Sequence, residues 1–119
     1  MLIQIVDDSP NMREAIKTVL SGMNVKFIEA DNGEHAVAQF AEQQPDLVIM
    51  DIRMGNMDGI GATRRIRQHL PHAQVIILTQ YDDNDLRMEA QHAGAIAYVL
   101  KDDLSQLLTI MKSFSKDKV

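Results

Sequence analysis

The sequence contains no cysteine, no long apolar run and no excess of positive charge. Without cysteine there is no disulfide framework, thiolate metal site or cysteine nucleophile, and this composition suits a reducing cytoplasm. No apolar run approaches the roughly 20 residues of a membrane helix, and the apolar stretch between Met1 and Asp7 is too short for a signal peptide. The net charge of −5 argues against nucleic-acid binding, because phosphate contacts need clusters of Lys and Arg. We therefore expect a cytoplasmic protein that binds neither membrane nor nucleic acid directly.

With 45% hydrophobic and 24% charged residues, the sequence has the composition of a globular protein. Its length fits one domain, which we assign to residues 1–119. Five short apolar runs alternate with five helical patterns, which predicts a parallel sheet with helices on both faces. Right-handed crossovers leave few topologies for such a chain. We predict an α/β fold: a flavodoxin-like, doubly wound sheet of five parallel strands in the order 2-1-3-4-5, with five flanking helices.

Capping residues and helical periodicity mark the predicted helices. Ser9 can cap the first helix, with Pro10 at its first position and Gly22 as its stop. Asn32-Gly33 leads into the second helix, Asp58 can cap the third, and Gly94 stops the fourth, which has the weakest apolar pattern. The predicted apolar faces are Met12, Ala15, Ile16, Val19 and Leu20; then Ala36, Val37, Phe40 and Ala41; then Ile60, Thr63, Ile66 and Leu70; then Leu86, Ala90 and Ala93; and finally Leu104, Leu107, Leu108, Met111 and Phe114.

The central strand is expected at residues 47–50, four apolar residues that run directly into Asp51. Pro45 and Gly55 leave too little room for a helix, so the run fits a strand buried on both faces. In open α/β sheets, ligands bind at the carboxyl ends of the strands. A carboxylate at that place is only partly solvated, and its charge needs a partner.

Polar residues follow four of the predicted strands: Asp7 and Asp8 the first, Asp51 the third, Thr79 the fourth and Lys101 the fifth. A parallel sheet brings these strand ends to one edge, where three carboxylates repel and favour binding of a cation. All-oxygen ligands favour a hard ion such as Mg²⁺. Together with the ammonium and the hydroxyl group, the carboxylates make a site for a dianionic group on Asp51. A phosphoryl group, with Asp51 as nucleophile, is the natural candidate.

The chain resembles the receiver domain of two-component response regulators along nearly its whole length. The matching segments are residues 6–9 (VDDS), 45–54 (PDLVIMDIRM), 57–59 (MDG), 77–79 (ILT) and 94–101 (GAIAYVLK). The segments around Asp51 and Lys101 are similar to regulators that usually carry a C-terminal helix-turn-helix domain. Because the chain stops at Val119, we expect that domain to be absent. The sequence departs from the common family pattern at Gly55, Gln80, Ala97 and Asp102, none of which is one of the five chemical positions.

The resemblance implies a role for each residue of the site. Asp51 would accept a phosphoryl group from a phosphohistidine on a sensor histidine kinase or phosphotransfer protein. Asp8, Asp51 and the backbone carbonyl of Arg53 would bind Mg²⁺ directly, with Asp7 acting mostly through water. The phosphoryl oxygens would contact Thr79 and Lys101.

The resemblance also implies a signal output and a phosphoryl lifetime. Tyr98 would change rotamer on activation together with Thr79. We expect residues 83–94, Tyr98 and residues 103–114 to form the surface that binds a downstream partner or a second copy of the chain. Arg53 and Tyr81 flank the expected path of the attacking water, so hydrolysis should be slow. The chain would catalyse its own phosphorylation and dephosphorylation without being an enzyme in the usual sense.

Two other functions start from the same residues. A Mg²⁺-dependent phosphatase of the haloacid dehalogenase kind also uses an Asp nucleophile at a strand end, but it needs a second Asp two residues later, where this chain has Arg53. A binding module that never uses phosphate would be favoured by loss of Asp51 or Lys101, and both are present.

Overall fold

The computed structural model describes residues 1–54 and 57–117, the last four of them as backbone only. Within these residues, five strands alternate with five helices. The strands are β1 (Leu2–Val6), β2 (Lys26–Ala30), β3 (Leu47–Met50), β4 (Val75–Thr79) and β5 (Ala97–Leu100). The helices are α1 (Pro10–Val19), α2 (Gly33–Gln43), α3 (Gly59–His69), α4 (Asn84–Ala93) and α5 (Leu104–Asp117).

The strands form one parallel sheet in the order β2-β1-β3-β4-β5, which confirms the predicted topology. In the register of β1 and β3, Val6 lies opposite Met50, so the chain leaves both strands at the same level. Thr79, the last residue of β4, lies opposite Leu100 of β5. The registers therefore bring the residues that follow β1, β3, β4 and β5 to one edge of the sheet.

Apolar side chains cover both faces of the sheet, because successive residues of a strand point to opposite sides. In β3, Leu47 and Ile49 pack on the side of α1 and α5, whereas Val48 and Met50 pack on the side of α2, α3 and α4. All four are at most 1% exposed. This burial explains why the strand is a continuous apolar run rather than an alternating one.

Side-chain caps place the helices where the sequence predicts them. The Ser9 hydroxyl accepts from Met12 N–H at 3.2 Å, and Asn32 and Asp58 cap α2 and α3 in the same way. Gly94 ends α4 with φ of +103°, a left-handed conformation that glycine adopts without strain.

Some predicted boundaries were wrong by a few residues. Helix α1 ends at Val19 rather than near Gly22, because the chain tightens there through bonds such as Ser21 N–H to the Thr18 carbonyl at 3.2 Å. Ala41 of α2 is exposed, since it lies about 100° around the helix from the buried Phe40. The side chain of Phe114, which we assigned to the apolar face of α5, and the loop residue Gly55 lie outside the described residues.

Among the helices that the structure describes, none is both long enough and apolar enough to cross a bilayer.

Candidate functional site

Two acidic residues follow β1 and differ in their surroundings. Asp7 is 1% exposed; its N–H donates to the Ala30 carbonyl at 3.1 Å, and its Oδ1 accepts from Ser9 N–H at 2.8 Å. Asp8, the next residue, is exposed and lines the cleft at the strand ends. The first carboxylate is therefore held rigidly by the backbone, whereas the second is open to a ligand.

Lys101 links the ends of three strands. From the residue after β5, its Nζ lies 2.8 Å from Asp7 Oδ2 and 3.3 Å from Asp51 Oδ2. The lysine side chain is 17% exposed, and the carboxylates are 2% and 7% exposed, so water screens these ion pairs only weakly. The predicted meeting of Asp7, Asp51 and Lys101 at one edge is what the structure contains.

Asp51 occupies a crowded position after β3. Its Oδ1 accepts from Ile52 N–H at 2.8 Å, and the Ile52 carbonyl accepts from Gly59 N–H at 2.7 Å. A Cβ atom on Gly59 would lie 1.8 Å from the Asp51 carbonyl oxygen, so the backbone at the start of α3 can approach this closely only through glycine.

The surroundings of Asp51 raise the pKa of its carboxyl group to about 6, from 3.8. Burial is the largest cause, and the charge of Asp7 adds to it, while Lys101 and the Ile52 N–H act in the opposite direction. For Lys101, burial would lower the pKa, but the hydrogen bond to Asp7 and the charge of Asp51 outweigh it, so the pKa is raised. The site thus has more negative charge than its single ammonium group compensates.

The carboxylates of Asp7, Asp8 and Asp51 form a group that fits a metal ion. Each offers one oxygen atom, and these atoms all lie within 4.8 Å of one another. The candidate ligands are all oxygen atoms, which Mg²⁺ prefers. Burial is the main cause of the raised pKa of Asp51, and the neighbouring charge of Asp7 adds to it, so a cation at this place would stabilise the charged carboxylate.

A cleft of about 420 Å³ opens at Asp8 and Asp51. The guanidinium carbon of Arg53 lies 5.0 Å from the centre of the Tyr81 ring, a cation–π stack on one wall of the cleft. The two residues expected to flank the path of an attacking water are therefore in contact with each other. The cleft is lined by Asp8, Ser9, Met12, Asp51, Arg53, Gln80, Tyr81 and Lys101.

Thr79 and Tyr98, the proposed switch pair, are joined through Tyr81. The fully buried Thr79 hydroxyl accepts from Tyr81 N–H at 3.3 Å, and the Tyr98 hydroxyl donates to the Tyr81 carbonyl at 2.6 Å. The Arg87 guanidinium covers the Tyr98 ring at 4.5 Å and bonds Asp82 at 3.0 Å. Tyr98 thus already points towards the segment after β4.

Three residues that contact this site or its switch were not among the predicted site residues: Arg13, Gly59 and Arg87. Gly59 belongs to the segment 57–59 that carries the family resemblance, so a signal for it was present. Arg13 lies in the first turns of the helix after the acidic pair, and helical side chains point back towards the helix start. For Arg87, on an exposed helix with a weak pattern, no sequence signal was available.

Comparison with protein families gives a match over residues 3–112 to the model described as the response regulator receiver domain. The regulatory protein AtoC of Escherichia coli (strain K12) is 40% identical over 111 residues, which cover 92% of this chain and 24% of that protein. The chemotaxis protein CheY of Bacillus subtilis (strain 168) is 39% identical over 100 residues, which cover 83% of each chain. The chain spans 21% to 50% of the length of the regulators AtoC, YxjL and NtrC that it matches.

Solved structures give the same fold. A LuxR-family two-component response regulator from Aurantimonas sp. SI85-9A1 matches with a TM-score of 0.89 and 31% identity, over 95% of this chain and 83% of that one. The response regulator protein TrrA from Thermotoga maritima, solved in complex with Mg²⁺ and BeF, matches with a TM-score of 0.85 and 34% identity, over 94% and 96%.

Proposed function

We propose that this chain is a phosphorylation-dependent signalling switch of a two-component system. It belongs to the response regulator receiver family. Asp51 accepts a phosphoryl group from a histidine kinase or a histidine phosphotransfer protein in a Mg²⁺-dependent reaction. The observation that supports this best is the placement of Asp51: a buried carboxylate, 3.3 Å from the Lys101 ammonium, at the floor of a cleft that also exposes Asp8. A carboxylate held in this way is a fixed nucleophile, and the Lys101 ammonium beside it can bind the phosphoryl group once it has been transferred.

The reaction forms one bond and breaks one. An Asp51 carboxylate oxygen attacks phosphorus, and the phosphorus–nitrogen bond of the phosphohistidine breaks. The electron pair of the broken bond goes to the imidazole nitrogen, which takes a proton from solvent. Lys101, which at rest divides its charge between Asp7 and Asp51, then binds a phosphoryl oxygen, and the Thr79 hydroxyl donates to another.

Divalent metal chemistry belongs to this proposal. Asp8, Asp51 and the Arg53 carbonyl would hold Mg²⁺ directly, and Asp7 would act mostly through water. The ion would supply positive charge that neutralises the phosphoryl oxygens. Asp7 meanwhile keeps Lys101 in place through the 2.8 Å ion pair. That the similar TrrA protein was solved in complex with Mg²⁺ and BeF supports a role for Mg²⁺ in this chain.

The phosphoryl group also leaves by the chain's own chemistry. Water attacks phosphorus, and the bond to Asp51 breaks and restores the carboxylate. Arg53 and Tyr81 cover the approach of that water from one wall of the cleft. Neither is a general base, so we assign them to prolonging the lifetime of the phosphorylated state.

The output of the switch is assigned to the surface of α4, β5 and α5: residues 83–94, Tyr98 and residues 103–114. A groove of about 240 Å³ between α4 and β5 is lined by Arg87, Ala90 and Tyr98 among others. Ile96, which is 43% exposed, also lines this groove, and Met88 of α4 is 57% exposed. This surface binds a downstream protein or a second copy of the chain. We assign the protein to the cytoplasm, which suits a sequence without cysteine.

Direct labelling tests the proposal. Incubation with acetyl phosphate or phosphoramidate and Mg²⁺ should add one phosphoryl group, detected by intact mass, and EDTA should prevent it. Asp51→Asn should abolish labelling. The matched control is Asp102→Asn, an exposed carboxylate beside Lys101 that should still label. Undiminished labelling of the Asp51 variant would overturn the assignment.

A further inference from the structure

Arg13 connects α1 with two strand ends and is absent from the chemistry described above. Its Nη1 donates to the backbone carbonyl of Asp7 at 2.6 Å, and its Nε donates to Glu29 Oε1 of β2 at 2.9 Å. The side chain is only 17% exposed. It points back from the first turns of α1 towards the end of β1, as helical side chains do.

Glu29 anchors this arginine at the edge of the sheet. It also accepts from Lys17 Nζ at 3.2 Å, one turn further along α1. Burial alone would raise the pKa of Glu29, yet the hydrogen bonds from Lys17 and Arg13 outweigh it and lower the pKa, so Glu29 is anionic at neutral pH. Arg13 therefore has a fixed charged partner on one side and a single peptide carbonyl on the other.

The carbonyl that Arg13 holds belongs to the peptide unit between Asp7 and Asp8. A peptide unit is planar, so fixing the oxygen atom and the preceding residue also fixes the direction in which Asp8 leaves. Asp7 is already fixed through its N–H and both carboxylate oxygens. By contrast, Asp8 is exposed, so the orientation of its carboxylate depends on the backbone that carries it.

We propose that Arg13 is a positioning residue for the Mg²⁺ site: through the Asp7 carbonyl it orients the peptide that carries the ligand Asp8. The inference rests on the proposed function, because it takes Asp8 as a metal ligand. Arg13 itself touches neither the ion nor the phosphoryl group.

The direction of the effect distinguishes positioning from simple electrostatics. Removing a positive charge near a cation site should by itself strengthen Mg²⁺ binding. Loss of a residue that orients a metal ligand should weaken it, by about tenfold or more for such outer partners. Arg13→Met keeps much of the apolar stem and removes both donors, so the two effects have opposite signs in one variant.

Mg²⁺ titration, followed by amide chemical shifts, measures the affinity without any phosphoryl chemistry. Arg13→Met should weaken binding by about tenfold. Lys17→Met, which removes the same charge from the same Glu29 but does not touch Asp7, should stay within about twofold of the wild type. Arg13→Lys should not restore binding, because one ammonium cannot reproduce the two-pronged donor geometry of a guanidinium.

Asp8→Ala separates failure of this inference from failure of the proposed function. It should weaken Mg²⁺ binding by about tenfold or more, a loss of at least ~1.4 kcal/mol. An unchanged affinity in Asp8→Ala would overturn both the metal site and the role of Arg13. Weak binding in Asp8→Ala with wild-type or tighter binding in Arg13→Met would overturn the role of Arg13 alone, as would equal losses in Arg13→Met and Lys17→Met or full rescue by Arg13→Lys. Should Arg13→Met fail to fold, the Arg13→Lys titration decides between charge and geometry.

Discussion

At the scale of single residues, the carboxyl group of Asp51 dominates the electrostatics of the sheet edge. Asp7 and Asp51 share the Lys101 ammonium group as their ion-pair partner. Burial removes most of the water that would otherwise screen the two carboxylates from each other. The pKa of about 6 follows from this crowding and is a property of the metal-free site. Two predictions belong to this scale.

The first concerns the pH dependence of stability without metal. The carboxyl group of Asp51 binds a proton more tightly in the folded state than in the unfolded state. Its contribution to the free energy of unfolding is therefore fully present below pH 4 and is lost as pH rises through about 6. In EDTA at pH 7, Asp51→Asn should therefore be more stable than the wild type by about 1–3 kcal/mol, measured by urea denaturation. Lys101 keeps its partner Asp7 in this variant.

The difference should shrink towards pH 4, where the wild-type carboxyl group is protonated. Added Mg²⁺ should also reduce it, because the cation compensates the carboxylates of the wild type. A variant that is no more stable than the wild type at pH 7 would contradict the crowding argument.

The second prediction concerns the lifetime of phospho-Asp51. With Arg53 stacked on Tyr81 beside the cleft, wild-type hydrolysis should take many minutes to hours. The double variant Arg53→Ala/Tyr81→Ala should hydrolyse about tenfold faster or more, a decrease of about 1.4 kcal/mol in activation free energy. Loss of phosphoryl over time, followed by intact mass, measures the rate. Arg65→Ala, an equal loss of charge on the exposed side of α3, serves as the control, and a wild-type half-life of seconds would refute the assignment.

At the scale of secondary-structure elements, α3 is built against the backbone of the phosphoacceptor loop. Its first residue, Gly59, donates to the Ile52 carbonyl and lies where any Cβ would overlap the Asp51 carbonyl oxygen. Asp58 caps the same helix from the residue before. The first residue of α3 thus helps to fix the position of the Asp51 backbone.

Gly59→Ala should therefore separate α3 from the loop. We expect destabilisation of about 1–3 kcal/mol or more from overpacking, together with slower labelling of Asp51 by acetyl phosphate. Gly61→Ala is a matched control two residues along the same helix, where the added Cβ would meet Asp58 Oδ1 at 3.4 Å. That variant should be neutral or slightly stabilising, because alanine favours a helix more than glycine does. Equal urea midpoints for the two variants would show that the close approach does not matter.

At the scale of the whole molecule, apolar burial is unevenly distributed around the sheet. The strands β3 and β4 are buried along their entire length. Helix α4 buries only two small side chains, Ala90 and Ala93, and Arg87 joins it to Tyr98 on β5. A helix that fully buries only small side chains is thus the one that carries a direct connection to the proposed switch residue.

Beryllofluoride, a phosphoryl mimic, should therefore change α4 more than the rest of the molecule. Drawing the Thr79 hydroxyl towards the mimic through a charge-assisted bond worth about 1.5–3 kcal/mol perturbs Tyr81 and hence Tyr98. We expect changes in amide chemical shift over residues 83–94 and around Tyr98, together with dimer or partner binding. In hydrogen exchange, the amides of α4 should exchange with solvent by local opening before those of β3. Thr79→Ala should blunt the shifts while leaving Asp51 able to label. Shifts confined to the loops around Asp51 would rule out this output surface.

Much of this architecture could be predicted from the sequence, because its causes are local. The apolar run before Asp51, the caps Ser9, Asn32 and Asp58, and the alternation of strands and helices depend on residues close together in the chain. Right-handed parallel crossovers left few strand orders, and the flavodoxin-like order chosen among them is confirmed. Asp7, Asp51 and Lys101 could be placed at one edge because every parallel strand ends on the same side.

The tertiary structure decided what depends on distance between remote residues. Only the packed molecule brings Arg13 of α1 to the Asp7 carbonyl, Gly59 to the Asp51 backbone, and Arg87 to the ring of Tyr98. It also makes Asp7 buried and Asp8 exposed, although they are neighbours of the same type. Sequence periodicity determines which face of an element is apolar, but the separation of two side chains from different elements depends on how helices and sheet pack together, to within about an ångström.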